Sequence, residues 1–300
     1  MRKVNLFIIG AQKGGTTSLY EYLRQHSDIT FSRIKELTHF IDPKQYQLGE
    51  AAFHAYFPRN SETRILATSH VHMLSCPDAP KRVRNYNSNM RFIVVLRHPV
   101  ERAWSAYRYA VANGWEPTLR DFDAALDEEP ARRKSGEHRA MYDLAYVNNG
   151  MYAQHLRHWT RFFDRSQFLL LRTDDLRDNP QAVLDEVCIF LDIATNSLID
   201  WSKRYNTARE FRWPWLGRLL LSRNSWAMST FSRLMPEQTR IWTKSRVFPA
   251  ISRLNAVQIE PSSAPASAIE RLESAFAPDL LVLRDEYGVD LQQSRVHATK

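Results

Sequence analysis

The chain has little of what marks several large protein classes. It carries only two cysteines, Cys76 and Cys188, far apart and in unlike contexts. Neither a disulfide framework nor a cysteine-built metal cluster is expected, and a reducing cytoplasm suits such a chain best. No run of about eighteen apolar residues occurs, so no membrane-spanning helix is expected. The N-terminus runs straight into an apolar segment, which on this reading leaves no room for a secretory leader. Internal repeats and nucleic-acid-binding signatures are missing as well. What remains is an ordinary globular composition over 300 residues, enough for one large α/β domain or two small ones. The net charge of +8, from 41 basic and 33 acidic residues, suits an anionic ligand. Charge alone does not separate a nucleotide from a polyanion or an anionic surface.

The most informative stretch runs from Val4 to Leu23. Val4 to Ile9 is a short apolar run, rich in β-branched and aromatic residues, that reads as a buried strand. Gly10, Gly14 and Gly15 bracket a tight turn, and Thr16, Thr17 and Ser18 open a helix bearing Leu19, Tyr22 and Leu23 on one face. Strand, glycine turn and helix start together make an anion site. Glycines let the backbone approach a phosphate, and the free N–H groups and dipole of the helix favour negative charge. Lys13 adds a full charge inside the turn. The plainer reading is a strand-to-helix turn with no ligand. A nucleoside-triphosphate loop has the order G-x-x-x-x-G-K-S/T. Here the lysine stands three residues too early, in Gly10-Ala11-Gln12-Lys13-Gly14-Gly15-Thr16-Thr17.

A second unit of the same kind is Arg91 to Pro99: a buried strand ending in Arg97, with Pro99 opening a helix through about Ala112. Further strands are expected at Arg64 to Thr68 and Gln167 to Leu171. Helices are expected across 43–60, around Lys81 to Arg84, along Tyr152, Leu156, Trp159 and Phe163, over 181–191 and at about 268–287. Residues 113–140 read as a charged, loop-rich flap. The pattern implies an α/β fold, a P-loop-like central parallel β-sheet flanked by helices, with a helical C-terminal extension. It is expected to be a single domain over 1–300, with the α/β core to 205 and the helical part from 206. Residues 209–253 hold nine Lys or Arg against Glu210 and Glu237, with Trp213, Trp215, Trp226 and Trp242 interleaved. Such a segment either packs on the sheet or lies on an anionic membrane, and core-like Leu219, Leu220, Leu221 and Phe231 favour packing.

Arg97 stands where magnesium-dependent nucleotide hydrolases usually carry a metal-organising aspartate. Ser105, eight residues on, lies two helical turns away. A guanidinium and a hydroxyl at that spacing suit a second phosphate, and a surface arginine at a strand end is the simpler alternative. Two phosphate sites on adjacent strands, with no evident metal ligand, fit a nucleotide phosphorylated at both ends.

At these motifs the chain resembles the sulfotransferases that use 3′-phosphoadenosine 5′-phosphosulfate (PAPS), in the branch of heparan-sulfate-type sulfotransferase domains and their bacterial relatives. Gln12-Lys13-Gly14-Gly15-Thr16-Thr17 meets the 5′-phosphosulfate loop, R/Q-K-G/S-G-T-T/S. The run from Leu96 to Tyr107 meets the 3′-phosphate motif L-R-D/N-P-x-E-R-x-x-S-x-Y except at His98. Weaker similarity runs through Gly150-Met151-Tyr152, Asp174-Asp175-Leu176 and Phe190-Leu191. The resemblance implies PAPS as cofactor, no metal, and Lys13, Gly14, Gly15, Thr16, Thr17, Arg97 and Ser105 as its contacts. Arg209 and Arg212 resemble a loop that closes over the nucleotide. It also implies Glu36 as the base that takes the acceptor's proton, with Lys13 stabilising charge on the leaving nucleotide. The family segment K-E-x-H/Q-F-F is met imperfectly by Lys35-Glu36-Leu37-Thr38-His39-Phe40, so either Thr38 replaces the histidine or His39 is displaced by one. His39 is either a second catalytic group or packing. A second departure is Thr68-Ser69-His70, which lacks the proline and the catalytic lysine found there in some members. His70 or His72 could compensate.

The implied activity is sulfuryl transfer from PAPS to a hydroxyl of a carbohydrate, glycoconjugate or small secondary metabolite. The acceptor would be a saccharide, a glycolipid or a small molecule, with no nucleic acid and no membrane span. Peripheral membrane contact and oligomeric state stay open. The rival readings are a P-loop kinase-like phosphotransferase and a non-catalytic nucleotide- or polyanion-binding protein.

Overall fold

Short, largely apolar segments form the centre of the fold. In the computed structural model, which describes residues 2–58, 62–116, 121–195, 199–200, 263–292 and the backbone of 209–211 and 256–258, these segments pair as a parallel sheet. The strands are β1 (Leu6–Gly10), β2 (Ile29–Phe31), β3 (Ile65–Ser69), β4 (Arg91–Leu96) and β5 (Phe168–Arg172). They lie in the order β2-β3-β1-β4-β5. Every pairing is parallel, with Phe7 opposite Thr68 on one side and Phe92 on the other. A wholly parallel sheet needs crossover helices on both faces, which is why β1 and β3 are buried at every residue rather than alternating.

The alternation shows instead in which core each side chain joins. Leu6, Ile8, Ile93 and Val95 share a core with Leu19 and Leu23 of α1 (Thr16–Leu23) and with Val183, Leu184, Val187 and Leu191. Phe7 packs edge-on against Phe40, and Phe92 meets Trp159, Phe163 and Phe168. The remaining α-helices among the described residues are α2 (Pro43–Gln47), α3 (Gly49–His54), α4 (Ala79–Tyr86), α5 (Pro99–Ala112), α6 (Phe122–Lys134), α7 (Tyr152–Trp159), α8 (Thr173–Asp178), α9 (Pro180–Leu191) and α10 (Ala266–Tyr287).

The chain groups into two compact units. One comprises Met1–Arg102, Val147–Asn206 and Leu272–Lys300, and contains the sheet; the other comprises Ala103–Tyr146 and Thr207–Arg271. Residues 113–140, expected as a flap, hold a regular helix. Asp121 caps α6 by accepting from the amides of Asp123 and Ala124. Phe122 at its start packs tilted against Tyr107 and edge-on against Tyr146. Buried Glu116 accepts from Arg132 at 2.7 and 3.0 Å and from the Tyr146 hydroxyl at 2.5 Å. In that same unit β6 (Arg209–Phe211) and β7 (Ala256–Gln258) form an antiparallel pair. The basic, tryptophan-bearing segment of 212–253 lies outside the described residues, as do Arg212 and the side chain of Arg209.

Candidate active site

The strand order reverses at β1, with β3 on one side and β4 on the other. In such sheets the crevice beyond the C-terminal strand ends is where ligands bind. The residues of interest come from those three ends: the turn after β1, the segment beside the end of β3, and Arg97 after β4.

The turn after β1 is tied down from below. The Ala11 amide donates to the Val95 carbonyl at 2.9 Å, and the Gly14 amide to the Ala11 carbonyl at 2.9 Å. The Thr173 hydroxyl reaches the Gly14 carbonyl at 2.5 Å and the Leu96 carbonyl at 3.0 Å. This close seating needs glycine. A Cβ on Gly14 would stand 2.3 Å from the Val95 oxygen, a contact no side chain tolerates. Gly15 then enters α1 with φ of 99°, and no side chain caps that helix start. The Ser18 and Leu19 amides close on the Gly15 carbonyl at 3.0 and 3.3 Å, so it is the Thr16 and Thr17 amides, with the dipole, that face whatever lies beyond the turn. Lys13 sits among them at φ of 64°. Burial, and secondarily the charge of Arg97, lowers its pKa from the ordinary lysine value to about 8. A buried lysine within the field of an arginine, at an open helix start, suits an anion.

Arg97 is oriented by Glu101, whose Oε2 accepts from Nε at 3.1 Å and from Nη2 at 3.0 Å. Its carbonyl accepts from the Tyr152 hydroxyl at 2.9 Å. Gln12, within the turn, accepts from the fully buried Arg102 at 3.4 Å. Ser105 stands further along α5, in the second unit.

Glu36 is held beside the end of β3. Its amide donates to the Ser69 carbonyl at 2.9 Å, and its φ is 62°. The Val71 amide donates to Oε2 at 2.8 Å, and the Lys35 ammonium lies 3.0 Å from Oε1. The same ammonium donates to the Thr17 hydroxyl on α1 at 2.9 Å. Glu36 and the glycine turn are therefore joined through Lys35, a residue that motif reading passed over. Its sequence signal is its place as the lysine of the K-E segment, and nothing in spacing foretells a partner eighteen positions away.

His39 does not share in this arrangement. Its ring stacks on Phe53 at 5.0 Å and packs against Phe40 and Tyr46. Burial lowers its pKa, and the carboxylate acting on it is Glu50 rather than Glu36. The helical turn that would have put it over Glu36 is absent: Glu36 takes a left-handed backbone, and α2 begins only at Pro43. His39 is thus placed as packing, not as a second catalytic group. His70 does reach the carboxylate, with Nδ1 3.7 Å from Glu36 Oε2. That nitrogen accepts from the His72 amide at 3.2 Å, so in the neutral ring two acceptors face each other.

This chain belongs to the sulfotransferase-domain family, whose model matches residues 3–210. It is 33% identical over 186 residues to the human heparan sulfate glucosamine 3-O-sulfotransferase 6, covering 61% of this chain and 51% of that one. It is 29% identical over 203 residues to a bifunctional heparan sulfate N-deacetylase/N-sulfotransferase 1 of Xenopus tropicalis, over 64% of this chain and 22% of that protein. The chain therefore spans about half the length, or less, of these curated relatives. In fold it is similar to a sulfotransferase from Alicyclobacillus acidocaldarius, with a TM-score of 0.70 and 22% identity over 98% of this chain and 99% of the other. A mouse sulfotransferase solved with PAP shares the fold at a TM-score of 0.52 and 14% identity, over 96% and 90% of the two chains.

Proposed function

We propose that the protein transfers a sulfuryl group from PAPS to an acceptor hydroxyl without a metal ion. The observation that supports this best is the Glu36–Lys35–Thr17 bridge, which joins a carboxylate to the phosphate-type turn that holds Lys13. The donor set fits such a nucleotide. Lys13 and the open start of α1 suit its 5′ end, and Arg97, fixed by Glu101, suits a phosphate at its 3′ end. When bound, PAPS supplies an activated sulfuryl group on a good leaving nucleotide. The 3-O-sulfotransferase and the PAP-bound sulfotransferase to which the chain is similar point to the same donor chemistry.

Each residue then has one task. Glu36, held by the Val71 amide, accepts the hydroxyl proton. Lys13 and the helix amides stabilise negative charge as it develops on the nucleotide side, which a fixed low-dielectric site does without reorganisation. Arg97 keeps the nucleotide in line. A carbohydrate or glycoconjugate acceptor is favoured by the heparan sulfate relatives, with small alcohols as the other class to test.

The test is incubation with PAPS and a panel of saccharide, glycolipid and small alcohol acceptors in the presence of a chelator. The expected result is sulfate ester formation matched by PAP release. In Glu36→Gln, turnover should fall by roughly 10²- to 10⁴-fold while PAP still binds, as loss of a general base implies. Near wild-type turnover in that variant would remove Glu36 from the reaction.

A further inference from the structure

Lys35 is placed more firmly than a surface lysine beside a carboxylate needs to be. Its side chain is 23% exposed and its ammonium has three neighbours, Glu36 beside it in sequence and two residues of α1. Glu36 Oε1 lies at 3.0 Å, the Thr17 hydroxyl at 2.9 Å, and the Tyr20 ring beneath it at 5.7 Å from the centroid. Tyr20 is itself fixed edge-on against Phe31 at 4.4 Å. A long flexible side chain gathered by a carboxylate, a hydroxyl and an aromatic face has lost most of its freedom, so its charge sits at a defined point. That point lies between the base and the first turn of α1.

Resting on the proposed reaction, we infer that Lys35 is the residue that contacts the sulfuryl end of the donor. The reasoning is electrostatic. The carboxylate that takes the acceptor's proton and the anionic sulfuryl group must approach the same oxygen from opposite sides. Two anions converging on one atom repel each other unless a cation stands beside both. Lys13 stands within the glycine turn, where the proposed reaction assigns it to the leaving nucleotide, and it is Lys35 that a contact ties to Glu36. Lys35 is bonded to the base at one flank and to the α1 hydroxyl at the other. The segment Thr68-Ser69-His70 supplies no lysine of its own beside Glu36.

The consequence is a selectivity that can be read without any acceptor. PAP and PAPS differ only by the sulfuryl group, so a residue that contacts only that group should distinguish them. Calorimetric titration of wild type, Lys35→Met and Lys35→Arg with each nucleotide provides the comparison. Lys35→Met should bind PAP within about twofold of wild type, which also shows that it is folded, and should bind PAPS about tenfold or more weaker, as loss of a charge-assisted hydrogen bond implies. Lys35→Arg, which keeps the charge, should recover much of the PAPS affinity. Equal loss for both nucleotides, or no loss for either, would overturn the assignment of Lys35. If the wild-type protein binds neither nucleotide, the proposed function itself has failed and not only this extension of it.

Discussion

Lys13 and Glu36 share an uncommon backbone state. Their φ angles are 64° and 62°, and among the described non-glycine residues only Asp192, at the left-handed cap of α9, is alike. Each such residue costs of order 1 kcal/mol or more. Strain at the two residues proposed to do the chemistry is what pre-organisation looks like at residue scale. Lys13 carries a second cost. Its lowered pKa means that the unfolded chain holds a proton more tightly than the folded one between pH about 8 and the ordinary lysine value. Charged Lys13 therefore works against folding at neutral pH, and that penalty is relieved as pH rises through this window. A bound phosphate acts in the opposite sense, favouring the ammonium. Affinity for PAP should consequently fall as pH rises above about 8, with proton uptake on binding there, seen by calorimetry in buffers of different ionisation enthalpy. Lys13→Arg should flatten this dependence, since a guanidinium stays charged. An affinity in the wild-type protein that is indifferent to pH across 7 to 10 would contradict it.

At the scale of elements, the supports of the site differ in how plainly the sequence announced them. The first strand and α5 were legible because an apolar run ending in a glycine turn, and a proline after a strand, carry their own signals. The parallel sheet flanked by helices followed from those repeats of strand and helix, and it is what the structure shows. Strand β2 was missed because Ile29–Phe31 is three residues long and gains its structure from pairing with β3. Helix α6 was missed because charges surround it and Pro130 interrupts it, so its stability comes from the Asp121 cap and from Phe122 packing rather than from an apolar face. Lys35 was overlooked for a different reason: its role is a tertiary contact. Helix α10 was legible as a helix at about 268–287, but its contacts were not, and it lies beyond the residues matched by the family model. Its Asp279 accepts from the amides of Ala153 and Gln154 at the start of α7, both at 2.9 Å. Its Phe276 closes on Gly150, where a Cβ would stand 2.6 Å from the ring and 3.2 Å from Pro99. Through α7, Tyr152 then supports the Arg97 carbonyl. Gly150→Ala should cost about 1–3 kcal/mol, because a fully buried ring must move. The expected readout is a lower melting temperature together with weaker PAP binding. Wild-type values for both would mean that α10 does not brace the Arg97 turn.

Over the molecule as a whole, the site is assembled at the point where the strand order reverses, from groups separated by more than eighty positions in sequence. Lys13 stands in the turn after β1, Lys35 beside the start of α1, and Arg97 after β4, so cations come to the site from separate segments. The charge balance of +8 agrees with an anionic ligand but does not define one. The definition comes from the two anchors standing at different strand ends, Lys13 after β1 and Arg97 after β4. The most direct test is therefore a titration in the presence of a chelator, comparing adenosine 3′,5′-bisphosphate with 5′-AMP on the wild-type protein and on Arg97→Ala. The wild type should prefer the bisphosphate by about a hundredfold, the worth of a good guanidinium–phosphate pair, and Arg97→Ala should lose most of that preference while keeping its affinity for 5′-AMP. Equal binding of the two nucleotides by the wild-type protein, or an equal loss of both in Arg97→Ala, would contradict the account.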